Sequence, residues 1–268
     1  MSRLSSPIAR ETSLRAAPET ILILGGTREA AEIAARLAES RKARIVTSLA
    51  GRTREPKPLA GETRIGGFGG ADGLAAYLKD NAVDLLIDAT HPFAGTISAN
   101  ARQAAALFAI PLISLARPAW DAADGDRWKR VATIADAVAA IPKDATVLLA
   151  LGRQHIAPFA GRADVTFVIR MVDEPEADLP FARFVLVLGK PDLDVAAEES
   201  MLVAHGIDTI VCRNSGGRGA YAKIEAARRL GLPLLMIDRP PNLVGLHSYA
   251  SVEALLGAEL LRGLADPS

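Results

Sequence analysis

The chain has a single cysteine, Cys212, among 268 residues. An intramolecular disulfide is therefore excluded, and with no Cys and His cluster at zinc spacing no metal is expected. A reducing, cytoplasmic compartment suits such a chain. Aromatic residues make up only 4% while hydrophobic residues make up 50%, so the core must be built from Ala, Val, Ile and Leu, as in helices packed on parallel strands. Charge of one sign is not in excess: Lys plus Arg and Asp plus Glu number 31 each. That balance excludes the basic field with which nucleic acid or an anionic membrane surface is held. No apolar run reaches the length of a bilayer span. Residues 1–20 carry Arg3, Arg10 and Arg15 without the continuous apolar middle of a secretory signal, and are expected to be a mobile leader.

What is present is a strand, a glycine turn and a helix start in residues 21–29, ILILGGTRE. Ile21 to Leu24 run into Gly25 and Gly26, and a helical rhythm follows through Ala30, Ile33, Ala34 and Leu37. Adjacent glycines admit close approach of a ligand, and the free amides and positive end of the helix dipole favour an anion. A second strand, 43–48, leads to Ser48, Gly51, Arg52 and Arg54. NAD-binding units hold the ribose with an acidic residue at this distance from the turn, whereas basic and hydroxyl groups accept a 2′-phosphate, so NADPH is the expected dinucleotide.

Strands are then expected at 63–65, 83–88 and 111–115, with helices over 71–81 and after Gly95. GGFGG, 66–70, is too glycine-rich for regular structure. The strand VDLLID opens into ATHPFAG, 89–95, so a second loop emerges at the strand-end edge where open parallel sheets bind ligands. After a break at 116–126 the alternation repeats: strands at 128–132, 147–151, 165–170, 181–189, 209–214 and 232–238, and helices at 134–141, 192–205, 220–230 and 251–263. SGGRG, 215–219, copies the logic of the first glycine turn.

The pattern predicts an α/β protein of two Rossmann-like, doubly wound parallel-sheet domains, 21–120 for NADPH and 121–268 for substrate, with a cleft between them. Whether 232–238 pairs within its own half is left open. Arg117, Arg153, Arg170, Lys190, Arg213, Arg218 and Lys223 follow predicted strands in the second half, an edge suited to a ligand with several carboxylates.

GGTREA (25–30), DATHPFA (88–94), ARPAW (116–120), and RNSGG with Lys223 and AAR (226–228) together resemble the precorrin-6A reductase family of corrin biosynthesis. The resemblance implies an NADPH-dependent reductase of a precorrin tetrapyrrole, converting precorrin-6A to precorrin-6B on the way to cobalamin, with neighbouring corrin-pathway enzymes as partners. It implies that Gly25, Gly26, Thr27, Thr90, His91, Pro92, Phe93 and Ala94 line the cofactor site, to which position adds Arg28, Glu29, Ser48, Gly51 and Arg52. Ser215, Gly216, Gly217 and Lys223 would face the substrate, joined by Arg117, Arg153, Arg213 and Arg218. Lys223 or His91 is the expected proton donor, directly or through an ordered water. Arg28 stands where a smaller or neutral residue is expected, as a phosphate contact or a surface residue.

Other classes fit less well. No Tyr precedes a Lys by four residues as in short-chain dehydrogenases, Gly189 and Lys190 lack the rest of a phosphate-binding loop, and no G-x-S-x-G elbow exists. The alternatives that remain are a non-catalytic NADP sensor and a reductase of another polycarboxylate.

Overall fold

The computed structural model describes residues 17–51, 58–240, 247–262 and 264. Two six-stranded sheets, parallel throughout, carry helices on both faces. The first contains β1 (Thr20–Leu24), β2 (Arg44–Leu49), β3 (Glu62–Ile65), β4 (Leu85–Asp88) and β5 (Leu112–Leu115). The second contains β6 (Arg127–Val131), β7 (Thr146–Ala150), β8 (Thr166–Met171), β9 (Phe184–Leu188), β10 (Thr209–Arg213) and β11 (Pro233–Ile237). The first sheet's sixth strand, β12 (Ser248–Tyr249), comes from the far end of the chain and pairs with β5.

The orders β3-β2-β1-β4-β5-β12 and β9-β8-β7-β10-β11-β6 are the same arrangement twice, the dinucleotide-fold order with its outermost position filled by a strand from elsewhere in the chain. Grouping by sequence as 21–120 and 121–268 therefore needs amending: residues 247–264 rejoin the first sheet, where Val252, Leu255, Leu256, Leu261 and Leu264 share a core with β1. The strand over 232–238, whose allegiance was open, stays in its own half.

Alternation along each strand explains the layers. Ile21 and Ile23 of β1 pack under α1 (Arg28–Glu39) and α7 (Val252–Leu256), whereas Leu22 and Leu24 meet α2 (Ala71–Asp80) and α3 (Gly95–Leu107). Ile21, Leu22 and Ile23 are fully buried, which stabilises the fold by about 1.5–3 kcal/mol each on the transfer scale. In the second unit Val147 and Leu149 face α4 (Ile134–Ala140), and Leu148 faces α5 (Val195–Ala204) and α6 (Ala222–Arg229). After β7 the chain makes two 3-10 turns, Arg153–His155 and Ala157–Phe159, and the last helix, expected to reach 263, stops at Leu256 before a further 3-10 turn. The GGFGG loop is held although it is irregular: the Arg64 guanidinium donates to the carbonyls of Gly66 and Gly67 and lies over the Phe68 ring at 3.9 Å.

Among the described residues no helix is long and apolar enough to cross a membrane, and no group of three or more His, Cys, Asp or Glu could hold a metal ion.

Candidate active site

Because every strand is parallel, the carboxyl ends of each sheet share one edge, and strand order reverses between β1 and β4 in the first sheet and between β7 and β10 in the second. Four loops leave these reversal points: 25–27, 89–94, 151–155 and 214–217.

The first loop is built for close approach. A Cβ on Gly25 would lie 2.9 Å from the Thr47 methyl, and the Gly25 amide donates to Ser48 O at 2.9 Å. Gly26 adopts φ +96° with open space around it. Thr27 caps α1: its Oγ1 accepts from the Ala30 amide at 3.1 Å and donates to Ala89 O at 2.7 Å, tying the two first-sheet loops together. Arg28 is exposed at the helix start. Ser48 is buried and Gly51 turns with φ +70°; Arg52 lies outside the described residues.

The second loop begins at Asp88, whose Oδ1 accepts from the amide and hydroxyl of Thr90. Ala94 closes the loop by donating its amide to His91 O at 2.7 Å. The Phe93 amide donates to His91 Nδ1 at 3.2 Å, which assigns the ring proton of neutral His91 to Nε2. Nε2 lies 3.0 Å from Ser215 Oγ, across the boundary between the units. Beside it the Arg213 guanidinium sits 4.9 Å from the Phe93 ring centroid.

Glu29, in the first turn of α1, forms a salt bridge with Arg117, just past β5. Their side chains are only 16% and 11% exposed, so each is committed to the other. A Cβ on Gly217 would come 2.9 Å from Glu29 Oε1 and 3.0 Å from Arg117 Cδ. Gly217 therefore packs against the first turn of α1, and Glu29 and Arg117, expected on opposite ligands, form one pair.

Sequence reasoning missed the residues that hold the 214–217 loop. Asn214, 2% exposed, accepts from the Trp120 amide and donates to the Trp120 carbonyl, both at 2.8 Å. Trp120 Nε1 donates to Gly217 O at 2.8 Å. Arg239 donates to the carbonyls of Asn214, Arg117 and Pro118, and burial draws its guanidinium below its usual value. The one local signal was a polar Asn directly after the strand TIVCR.

The expected edge of seven cations also needs correction. Arg170 forms a bidentate pair with Glu198, the side chains being 8% and 3% exposed. Lys223 is 4% exposed, with Nζ donating to Ala220 O at 2.7 Å and lying 5.4 Å from the Trp120 ring. Its place in the first turn of α6 aims it back under the 215–221 loop. Arg153, Lys190 and Arg218 are exposed, and among the described residues their side chains enter no hydrogen bond or ion pair. Arg213 is half-buried at the bridge.

Desolvation pushes the Lys223 ammonium below its ordinary 10.5, with Arg170 adding to the shift and Cys212 and Glu198 opposing it. The unfolded chain then binds the extra proton between the lowered value and 10.5, so burial of Lys223 costs stability at neutral pH and the cost fades as pH rises through that window. Urea unfolding should show the stability of the native chain relative to Lys223→Met improving from pH 7 to pH 10; a pH-independent difference would contradict a charged, buried Lys223.

A separate hollow of about 320 Å³ opens at the amino end of the first sheet, between Pro18, Asp84, Pro111 and Leu260, far from these loops. The chemistry-bearing groups are at the other end.

A family model described as precorrin-6x reductase CbiJ/CobK matches residues 20–258. The chain belongs to the precorrin-6A reductase family. It is 46% identical over 222 residues to the precorrin-6A reductase of Rhodococcus erythropolis, covering 82% of this chain and 89% of that protein. The corresponding protein of a Sinorhizobium species is 47% identical over 222 residues, covering 82% and 84%. The solved structure of a CobK precorrin-6A reductase superposes with a TM-score of 0.85 at 42% identity, over 89% of this chain and 94% of that one. As a member of this family the chain is an oxidoreductase of cobalamin biosynthesis acting on a tetrapyrrole.

Proposed function

We propose that NADPH binds at the carboxyl edge of the first sheet, where its nicotinamide supplies a hydride to one ring carbon of precorrin-6A lying against the edge of the second. The observation that carries this reading is the 3.0 Å contact between His91 and Ser215, which brings loops from the reversal points of both sheets together.

The first edge fits a dinucleotide. Open space over Gly26 leaves room for a pyrophosphate. The Thr27 side chain occupies only the Ala30 amide, so the Arg28 and Glu29 amides remain to face an anion. A carboxylate at a helix start opposes anion binding, and Arg117 removes that opposition by neutralising Glu29. Thr90, Pro92, Phe93 and Ala94 wall the same edge. From Ser48 to Gly51 no acidic residue is present to hold a ribose 2′-hydroxyl, and Arg52 follows.

On the opposite side Arg213, Arg153 and Arg218 are spaced to meet separate carboxylates of a broad macrocycle, and Ser215, Gly216 and Gly217 give it a low wall. Of the two side chains first considered as proton donors, His91 borders the gap and Lys223 does not. We therefore give His91 the role of holding the ordered water that supplies the proton, since as a neutral imidazole it keeps its own proton on Nε2.

Replacing Arg52 by alanine should raise the NADPH dissociation constant about tenfold, the loss of roughly one charge-assisted hydrogen bond, and leave NADH nearly unchanged. Fluorescence titration of both dinucleotides checks this; equal weakening of the two removes Arg52 from the 2′-phosphate role. Mixing the protein with precorrin-6A should consume one NADPH per macrocycle. Binding of NADPH without its consumption would identify a sensor.

A further inference from the structure

The segment 213–217 touches both first-sheet loops at once. His91 reaches Ser215 Oγ at 3.0 Å, Phe93 lies under the Arg213 guanidinium at 4.9 Å, and Glu29 abuts Gly217 from the start of α1. These contacts form a directed chain. The Phe93 amide donates to His91 Nδ1, His91 Nε2 donates to Ser215 Oγ, and Ser215 Oγ donates onward to Arg213 O at 3.3 Å. With Nδ1 taking the Phe93 amide and Nε2 meeting Ser215, a shift of the 90–94 loop is transmitted to Ser215.

The rest of the second unit holds this segment from behind. Asn214 is locked to Trp120, and Arg239 ties Asn214 O to the carbonyls of Arg117 and Pro118. Arg117 in turn carries Glu29 of α1. A ligand that orders loops 25–29 and 90–94 thereby orders the wall of the neighbouring site before that site is filled.

We propose that His91 and Ser215 are positioning residues that make the two ligand sites cooperative, so that an occupied dinucleotide site tightens binding of precorrin-6A and precorrin-6A tightens binding of the dinucleotide equally. The inference rests on the placement of NADPH argued above. Reciprocity follows because the coupling is one free energy shared by the two binding events, and its source is an ordering cost met by whichever ligand arrives first.

The test uses NADP⁺, which forms a ternary complex with precorrin-6A without turnover. The macrocycle's dissociation constant is titrated by its own absorbance, with and without saturating NADP⁺, in the full chain and in Ser215→Ala and Ser215→Thr. In the native chain NADP⁺ should tighten precorrin-6A binding about fivefold or more, within the usual range of coupling between sites. In Ser215→Ala the ratio should fall close to one while NADP⁺ alone binds as before, and Ser215→Thr, which keeps the hydroxyl, should restore it. A merely structural Ser215 would change both affinities and leave their ratio intact, so an unchanged ratio in Ser215→Ala overturns the proposal, as does a ratio of one in the native chain. Failure of NADP⁺ to bind at all is a different result, and it removes the placement of the dinucleotide itself.

Discussion

Alanine at position 216 is expected to cost the reductase at least about 100-fold in kcat/KM, the scale at which an ångström of misplacement in a bound reactant is felt. Gly216 sits at φ +62°, where a side chain is strained. Its added Cβ would stand 2.1 Å from Pro118 O and 2.2 Å from an Arg239 nitrogen. The arginine end is able to move, but Pro118 O belongs to the 116–120 strap that Arg239, Asn214 and Trp120 hold. Either the strap or the 214–217 loop must therefore shift, and with it Ser215. The strain and contact together should lower stability by about 2–4 kcal/mol. Steady-state kinetics beside urea unfolding separates the two effects; kcat/KM within threefold of the native value would show that this loop does not set substrate alignment.

Loss of Glu198 is expected to have the largest effect on stability. Its carboxylate accepts both Arg170 nitrogens, at 2.8 and 3.1 Å, and the Asp192 amide at 2.8 Å. In Glu198→Ala the Arg170 guanidinium stays buried without its counter-ion, close to the already desolvated Lys223. Breaking such a pair from one side costs about 3–5 kcal/mol. Removing both charges together, as Arg170→Met with Glu198→Leu, should cost less than Glu198→Ala alone, since no uncompensated charge remains. Thermal and urea unfolding of the three proteins measures this, and additive losses would argue against the pair as the reason.

Most of the strands and helices were legible because they depend on local periodicity. Gly25, Gly26, Ser215 and Gly217 could be read as turn residues at strand ends, and parallel pairing then put each pair at the carboxyl edge of its own sheet. Pairings between distant residues were not legible. Trp120 and Asn214 are 94 residues apart in sequence, and no period in either segment names the other as its partner. Arg117, Arg170 and Lys223 show why counting cations after strands overstates a binding edge: a sequence displays the charge but not the counter-ion or carbonyl that takes it up. Glu29 offered one usable hint, since a carboxylate at the start of a dinucleotide-fold helix calls for a neighbouring cation. β12 gave none, being two residues long and strand-like only because β5 offers it an edge.

The exchange of outermost strands bears on how the halves move. The backbone passes from the first sheet to the second after Leu115 and returns to the first after Ile237, so two covalent crossings join them where a tandem pair of domains has one. Paired tethers leave rotation about the line between them comparatively free and oppose twisting across it, which steers opening and closing along a single swing. Severing the polypeptide within 116–126 would leave the amino-terminal piece short of its last strand and of the α7 face that covers Ile21 and Ile23, so the first half is not a self-sufficient unit of folding.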